Sequence, residues 1–154
     1  MSLDVGDKAP EFKLPADGDK DCELSAFAGK PVVLYFYPKD DTPGCTTEAQ
    51  GFRDTMAAFE ECGAAVIGVS KDPVRKHDRF KEKHNLNFTL VSDENGDLCE
   101  RYGVWVEKNM YGRKFMGIER STFLIAGDGK IAEIWRKVRV KGHVDAVLAA
   151  AQAL

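Results

Sequence analysis

No apolar run in the 154-residue chain is longer than the six residues Val32–Tyr37, against the roughly 20 that span a bilayer as a helix. A membrane-spanning segment and a membrane partner are therefore not expected. The opening residues Met1-Ser2-Leu3-Asp4-Val5 have neither the basic stretch nor the apolar stretch of a secretory signal, which makes the cytoplasm the expected compartment. There is no excess of positive charge: 22 basic against 25 acidic residues give a net charge of −3, so no general attraction for nucleic acid is expected. No C-x-x-C occurs, and His77, His84 and His143 share no ligand spacing with one another or with Cys22, Cys45, Cys62 and Cys99. Neither a metal nor another cofactor is expected. No repeat, low-complexity tract or Pro/Gly/Ser-rich linker divides the sequence, so residues 1–154 read as one domain, long enough to bury a core without disulfides.

What the chain does have is an alternation of strand and helix patterns. Phe12-Lys13-Leu14 reads as a short strand and Leu24–Ala28 as a helical turn. Pro31-Val-Val-Leu-Tyr-Phe-Tyr37 is β-branched and aromatic throughout and predicts a central strand buried on both faces. A turn-rich loop, Pro38–Gly44, leads into a helix from about Cys45 to Glu61, marked by Ala49, Phe52, Met56 and Phe59 and closed by Gly63. Ala65–Val69 predicts a second buried strand, and Asp72-Pro73 an N-cap and first position for a helix to about Lys83. A strand at Phe88–Val91, a turn at Asp93–Gly96 and helical turns over Asp97–Tyr102 follow. Ser121–Ile125 and Ile131–Trp135 flank Ala126-Gly-Asp-Gly129 as a hairpin, the basic stretch Arg136–Lys141 alternates like an exposed, charge-protected edge strand, and Val144, Val147, Leu148 and Ala151 mark a closing helix. This order implies an α/β fold of thioredoxin-like type, a mixed central sheet with helices on both faces.

In such a sheet, sites form beyond the carboxyl ends of strands and at the helix N-terminus that follows. Cys45 opens the helix after the central strand, where free N–H groups and the helix dipole favour a thiolate. Ionisation alone gains a cysteine no more than about thirty-fold in reactive form at neutral pH, so a fast reaction needs further groups that stabilise the transition state. Thr42, three residues earlier, can aim a hydroxyl at whatever approaches the sulfur; Pro38 and Pro43 stiffen the loop. Arg120, a charge opening the apolar strand Ser121–Ile125, needs a partner and could hold the thiolate, and Glu48, on the same helix face as Cys45, could accept from that guanidinium. Trp105 and Tyr111 read either as lining of a pocket or partner surface, or as core packing.

The pattern Pro38-x-x-x-Thr42-x-x-Cys45, within Phe36-Tyr37-Pro38-Lys-Asp-Asp-Thr-Pro-Gly-Cys-Thr-Thr-Glu48, resembles the active-site signature of peroxiredoxins. Gly6-Asp-Lys-Ala-Pro10, Leu90-Val-Ser-Asp93, Tyr102-Gly-Val-Trp105 and Gly117-Ile-Glu-Arg-Ser-Thr-Phe123 extend the resemblance, over almost the whole chain, to the bacterioferritin comigratory protein (PrxQ) subfamily. It implies a thioredoxin fold and a peroxidatic cysteine at Cys45 that attacks a hydroperoxide and becomes a sulfenic acid. It further implies that Thr42, Arg120 and backbone N–H groups near Gly44 and Cys45 bind the peroxide, with Pro38 shielding the pocket and Glu48 orienting Arg120. A hydroperoxide substrate, a reducing thiol (thioredoxin, glutaredoxin or glutathione) and a monomeric state are the implied partners and assembly.

The sequence departs from the subfamily at the resolving cysteine. Relatives place it five residues after the peroxidatic one, where this chain has Gln50, or in the next helix in a stretch like His77-Asp-Arg-Phe-Lys81, where it has Lys81. Cys62 lies seventeen helical residues from Cys45, about 25 Å, beyond the Cα separation of about 4.4–6.8 Å that a disulfide needs. A one-cysteine mechanism recycled by an external thiol is therefore expected. The alternatives are Cys99 or Cys22 as an atypical resolving residue, or a redox sensor that signals through oxidised Cys45 instead of turning over. A thioredoxin-type disulfide reductase is disfavoured, because Cys45-Thr-Thr-Glu48 lacks the second cysteine.

Overall fold

The computed structural model describes residues 3–154. Lys13–Ala16 (β1) and Lys20–Glu23 (β2) form an antiparallel pair, joined by a tight turn at Asp17–Asp19. The central strand Val32–Phe36 (β3) runs into the helix Pro43–Glu61 (α1) and the strand Ala65–Ser70 (β4). The helix Val74–His84 (α2), the strand Thr89–Ser92 (β5) and the single turn Leu98–Arg101 (α3) follow. Two strands then form a hairpin apart from the main sheet, Trp105–Met110 (β6) with Arg113–Ile118 (β7). Ser121–Ile125 (β8), Ile131–Trp135 (β9) and the helix His143–Gln152 (α4) close the chain.

The seven-stranded sheet has the order β2-β1-β5-β4-β3-β8-β9. β3, β4 and β5 are parallel, while β8 returns antiparallel to β3. Two successive right-handed crossovers in one direction put α1 and α2 on one face of the sheet. Val33, Tyr35 and Tyr37 pack there with Phe52, Phe59 and Phe80, and with Val144 and Val147 of α4. Leu34 and Phe36 point the other way, into a second core with Leu98 and Cys99 of α3 and with Tyr102 just after it. Every residue from Val32 to Tyr37 is buried, which is the two-sided burial that its unbroken apolar run predicts. Among the described residues no helix is long and apolar enough to cross a membrane.

Several boundaries differ from the sequence reading for identifiable reasons. The helix α1 starts at Pro43, two residues before Cys45, because proline, with no N–H to leave unpaired, suits the first helical position after the N-cap Thr42. Asp72 does not cap α2; Pro73 holds that place. The Asp72 carboxylate instead accepts from the Ser70 hydroxyl at 2.7 Å and the Asp40 N–H at 2.8 Å. Arg136–Lys141 is not an edge strand: β9 ends at Trp135 and Lys137 takes a left-handed φ of 49°, which breaks a ladder. The β6–β7 hairpin has no counterpart in the sequence pattern, since both its faces are largely exposed and no period-2 apolar alternation marks it. Its two-residue turn, Tyr111-Gly112, uses positive φ at both positions. Tyr111, at 99% exposure, stands at the tip, while Trp105 is half-buried with the Lys71 ammonium 4.8 Å over its ring.

Candidate active site

The register between β3 and β8 sets the site. Phe36 pairs with Ser121, so the residue just before β8, Arg120, lies beside the carboxyl end of β3, where the chain turns through half-buried Pro38 toward α1. Thr42, Pro43, Gly44 and Cys45 are the N-cap and first three positions of that helix. The first carbonyl bond of the helix is Thr46 N–H to Thr42 at 2.8 Å, which leaves the Gly44 and Cys45 N–H groups free of helical partners at the positive end of the dipole. A Cβ on Gly44 would lie 3.2 Å from an Arg120 nitrogen; glycine there lets the guanidinium approach the helix end.

Arg120 bridges two residues of α1. One terminal nitrogen donates to the Cys45 sulfur at 3.3 Å and the other to Glu48 Oε1 at 2.6 Å. Cys45 is only 2% exposed and the Glu48 side chain fully buried, whereas 15% of the Arg120 side chain reaches solvent. Burial pushes the Glu48 carboxyl up to about 7 against the opposing pull of Arg120. Among the described residues its second oxygen has no hydrogen-bond partner, nor has the nearby buried hydroxyl of Tyr35. Burial works against the Arg120 charge, yet Glu48 and Cys45 together hold its pKa above the ordinary value. The Thr42 hydroxyl donates to the Lys39 carbonyl at 2.9 Å, so what it offers an incoming molecule is an acceptor lone pair. The fold thus gathers Cys45, Glu48 and Arg120 in direct contact, with Thr42 and Gly44 on the same helix end.

The other cysteines lie elsewhere. Cys99 is in the core on the opposite face of the sheet from Cys45, fully buried, its thiol pushed far above the usual range by burial and by the Asp93 carboxylate. Cys22 sits on the edge strand β2, four strands from β3, with its thiol pushed up to about 11 by burial and by Asp17. Cys62 follows the far end of α1 and donates to the Phe59 carbonyl. Lys81 pairs with Asp17 at 2.7 Å.

Residues 5–134 match the AhpC/TSA family. Peroxiredoxin Bcp of Bacillus subtilis is 52% identical over 144 residues, spanning 94% of this chain and 92% of that protein. The chain belongs to the AhpC/TSA family. Among solved structures, PrxQ of Xylella fastidiosa superposes with a TM-score of 0.94 at 41% identity, covering 99% of this chain and 98% of that one. The bacterioferritin comigratory protein of Xanthomonas campestris, described for its alkyl peroxide reduction activity, gives 0.88 at 48% identity over 92% and 90% of the two chains. This peroxiredoxin is thus of the Bcp/PrxQ kind, with the thioredoxin-like fold and the thiol peroxidase activity of that group.

Two features of the peroxiredoxin escaped the sequence reading. Lys108 of β6 stands half-buried near the site, its pKa lowered by burial and by the Arg120 charge while Cys45 acts in the opposite sense; with the hairpin unforeseen, nothing in the sequence marked it. The fold also brings Asp40, Asp72 and His77 together in one hydrogen-bonded cluster, the Asp40 N–H donating to Asp72 Oδ2 at 2.8 Å and Asp40 Oδ2 facing His77 Nδ1 at 2.6 Å. Here the signal lay in the sequence as isolated polar residues beside buried strands, but their convergence depends on tertiary structure.

Proposed function

We propose that the whole chain, residues 1–154, works as one peroxidase domain that reduces hydrogen peroxide and organic hydroperoxides at Cys45 by a one-cysteine mechanism. The observation that carries this reading is the forked contact of Arg120, one nitrogen on the Cys45 sulfur at 3.3 Å and the other on Glu48 at 2.6 Å. Because Glu48 fixes one end of the planar group, the other is aimed at the place where charge shifts from sulfur to peroxide oxygen.

The Cys45 thiolate attacks the distal oxygen of the hydroperoxide; an S–O bond forms with the distal O–H retained, the O–O bond breaks, and the proximal oxygen leaves and takes up one proton from solvent as water or an alcohol. The Arg120 guanidinium and the Gly44 and Cys45 N–H groups bind the two oxygens, and the Thr42 lone pair accepts the peroxide O–H. Pro38 shields the pocket. Cys45 is left as a sulfenic acid. A thiol then displaces water to form a mixed disulfide, and a second thiol releases the Cys45 thiolate. No metal or organic cofactor takes part in these steps.

Cys99 on the other face of the sheet, Cys22 on a distant edge and Cys62 beyond the far end of α1 favour an external donor, thioredoxin, glutaredoxin or glutathione, in a reducing cytoplasm. A monomer suffices, since every named group comes from one chain. The deciding experiment is steady-state consumption of peroxide with each donor system. Cys45→Ser should be inactive, and Cys22→Ser and Cys99→Ser should turn over like the wild type. Turnover by Cys45→Ser would refute the assignment, loss of turnover in Cys22→Ser or Cys99→Ser would refute the one-cysteine mechanism, and a single stoichiometric burst without recycling would mark a sensor instead.

A further inference from the structure

The loop that carries Thr42 to Cys45 is fastened by a buried polar cluster that the peroxidase chemistry leaves unused. Asp40, two residues before Thr42, is buried. Its Oδ1 accepts from the Tyr37 hydroxyl at 2.5 Å, its Oδ2 faces His77 Nδ1 at 2.6 Å, and its backbone N–H donates to Asp72 Oδ2 at 2.8 Å. His77, fully buried on α2, directs its other ring nitrogen at the Val91 carbonyl of β5, 2.9 Å away. A carbonyl only accepts, so Nε2 carries a proton. Nδ1 meets a carboxylate oxygen, so the arrangement is complete when it carries one too and the ring is an imidazolium.

The next residue shows why the loop needs fastening. Asp41 has a left-handed φ of 61°, a conformation unfavourable for a non-glycine residue that persists only where its surroundings impose it. The exposed side chain of Asp41 bonds Lys83 at 2.8 Å and His84 at 2.9 Å, so α2 holds the loop at both of these positions.

We propose that His77 is a positioning residue for the peroxidase reaction: acting through Asp40, the doubly protonated ring keeps Thr42 and the free N–H groups of Gly44 and Cys45 in register with Arg120, and the neutral ring lets the loop slacken. This rests on Cys45 as the reacting residue. The groups that face His77 are Asp40 from the loop, Asp72 from the turn before α2, Tyr37 from the end of β3 and the Val91 carbonyl from β5; both charged ones are acidic. Burial works against the imidazolium, but the Asp40 bond and charge, the Val91 carbonyl and Asp72 outweigh it and hold the His77 pKa above 6.5. The fastening is therefore complete below the ordinary histidine value and is lost as pH rises through the raised one.

The test is the rate constant for oxidation of Cys45 by hydrogen peroxide, followed by rapid mixing between about pH 6 and about pH 9.5. The wild type should lose about tenfold in rate on the alkaline side with the slope of one proton, a loss that a small displacement of a reacting group can cause. His77→Gln should remove that limb and leave the rate at the lower level throughout; Asp40→Asn should do the same and serves if His77→Gln does not fold. His84→Gln, which touches the same loop only through exposed Asp41, should keep the wild-type limb. A wild type without the limb, a limb that survives in the folded His77 or Asp40 variant, or a limb abolished by His84→Gln would overturn the proposal. Cys45→Ser, run alongside, separates the two levels: peroxide consumption by that variant would sink the site itself, whereas an inert Cys45→Ser with a wild-type limb in His77→Gln would sink only the positioning role.

Discussion

Replacing Arg120 by methionine keeps most of the side-chain volume and removes the forked donor that joins Cys45 to Glu48. At 3.3 Å, a guanidinium and a thiolate attract by about 5 kcal/mol at an effective dielectric constant of about 20. Desolvation cancels much of this, and hydrogen bonds to charged groups retain about 2–3 kcal/mol net, which corresponds to roughly 30- to 150-fold in rate. Stability is affected separately. Losing its partner would strand the buried Glu48 charge at a cost of about 3–5 kcal/mol, but a carboxyl already raised to about 7 escapes that cost by taking up a proton. Arg120→Met should therefore be little destabilised at pH 5 and clearly destabilised at pH 8, and Arg120→Met/Glu48→Gln should recover stability at pH 8 without recovering rate. Stopped-flow oxidation by hydrogen peroxide and urea unfolding at both pH values measure the two effects independently. An Arg120→Met protein that is oxidised within about threefold of the wild-type rate, or a double variant that regains full rate, would rule out this role for Arg120.

Glu48→Gln should change the pH dependence of folding in a direction fixed by the raised carboxyl: the folded state holds the proton more tightly, so the wild type loses up to about 3 kcal/mol as pH rises from about 4.5 through 7. Urea unfolding should show the variant gaining on the wild type by that amount between pH 5 and 8; an equal difference at both would contradict it. His143 behaves oppositely, since burial first, and then Arg120, lower its pKa from 6.5 to about 4. Its contribution is present above pH 6.5 and lost on acidification, about 2 kcal/mol after allowance for partial screening, and His143→Gln should flatten that acid loss in the same assay. Thr42→Val should slow Cys45 oxidation about ten- to a hundredfold while Thr42→Ser stays near wild type; equal rates for both would remove the hydroxyl from the mechanism.

Much of the site was legible in the sequence because it is local. Thr42, Gly44, Cys45 and Glu48 share seven consecutive positions at one helix end, and a charged residue before the apolar run Ser121–Ile125 called for a partner. What the sequence left hidden depends on long-range pairing. Asp72 looked like a cap because Asp-Pro is a good helix start, yet the Asp40 N–H and the Ser70 hydroxyl claim its carboxylate. His77 looked isolated because Asp40 lies 37 positions away. The β6–β7 hairpin, held by cross-strand pairing and a two-residue turn, buries little and so leaves no apolar rhythm to read.

The most direct measurement of the central claim is the intact mass and peptide map of the wild type after one equivalent of hydroperoxide. The expected product carries a single added oxygen on Cys45, removed by an added thiol, with Cys22, Cys62 and Cys99 unmodified. A disulfide joining Cys45 to any other cysteine of the same chain, or the oxygen on a different residue, would contradict it.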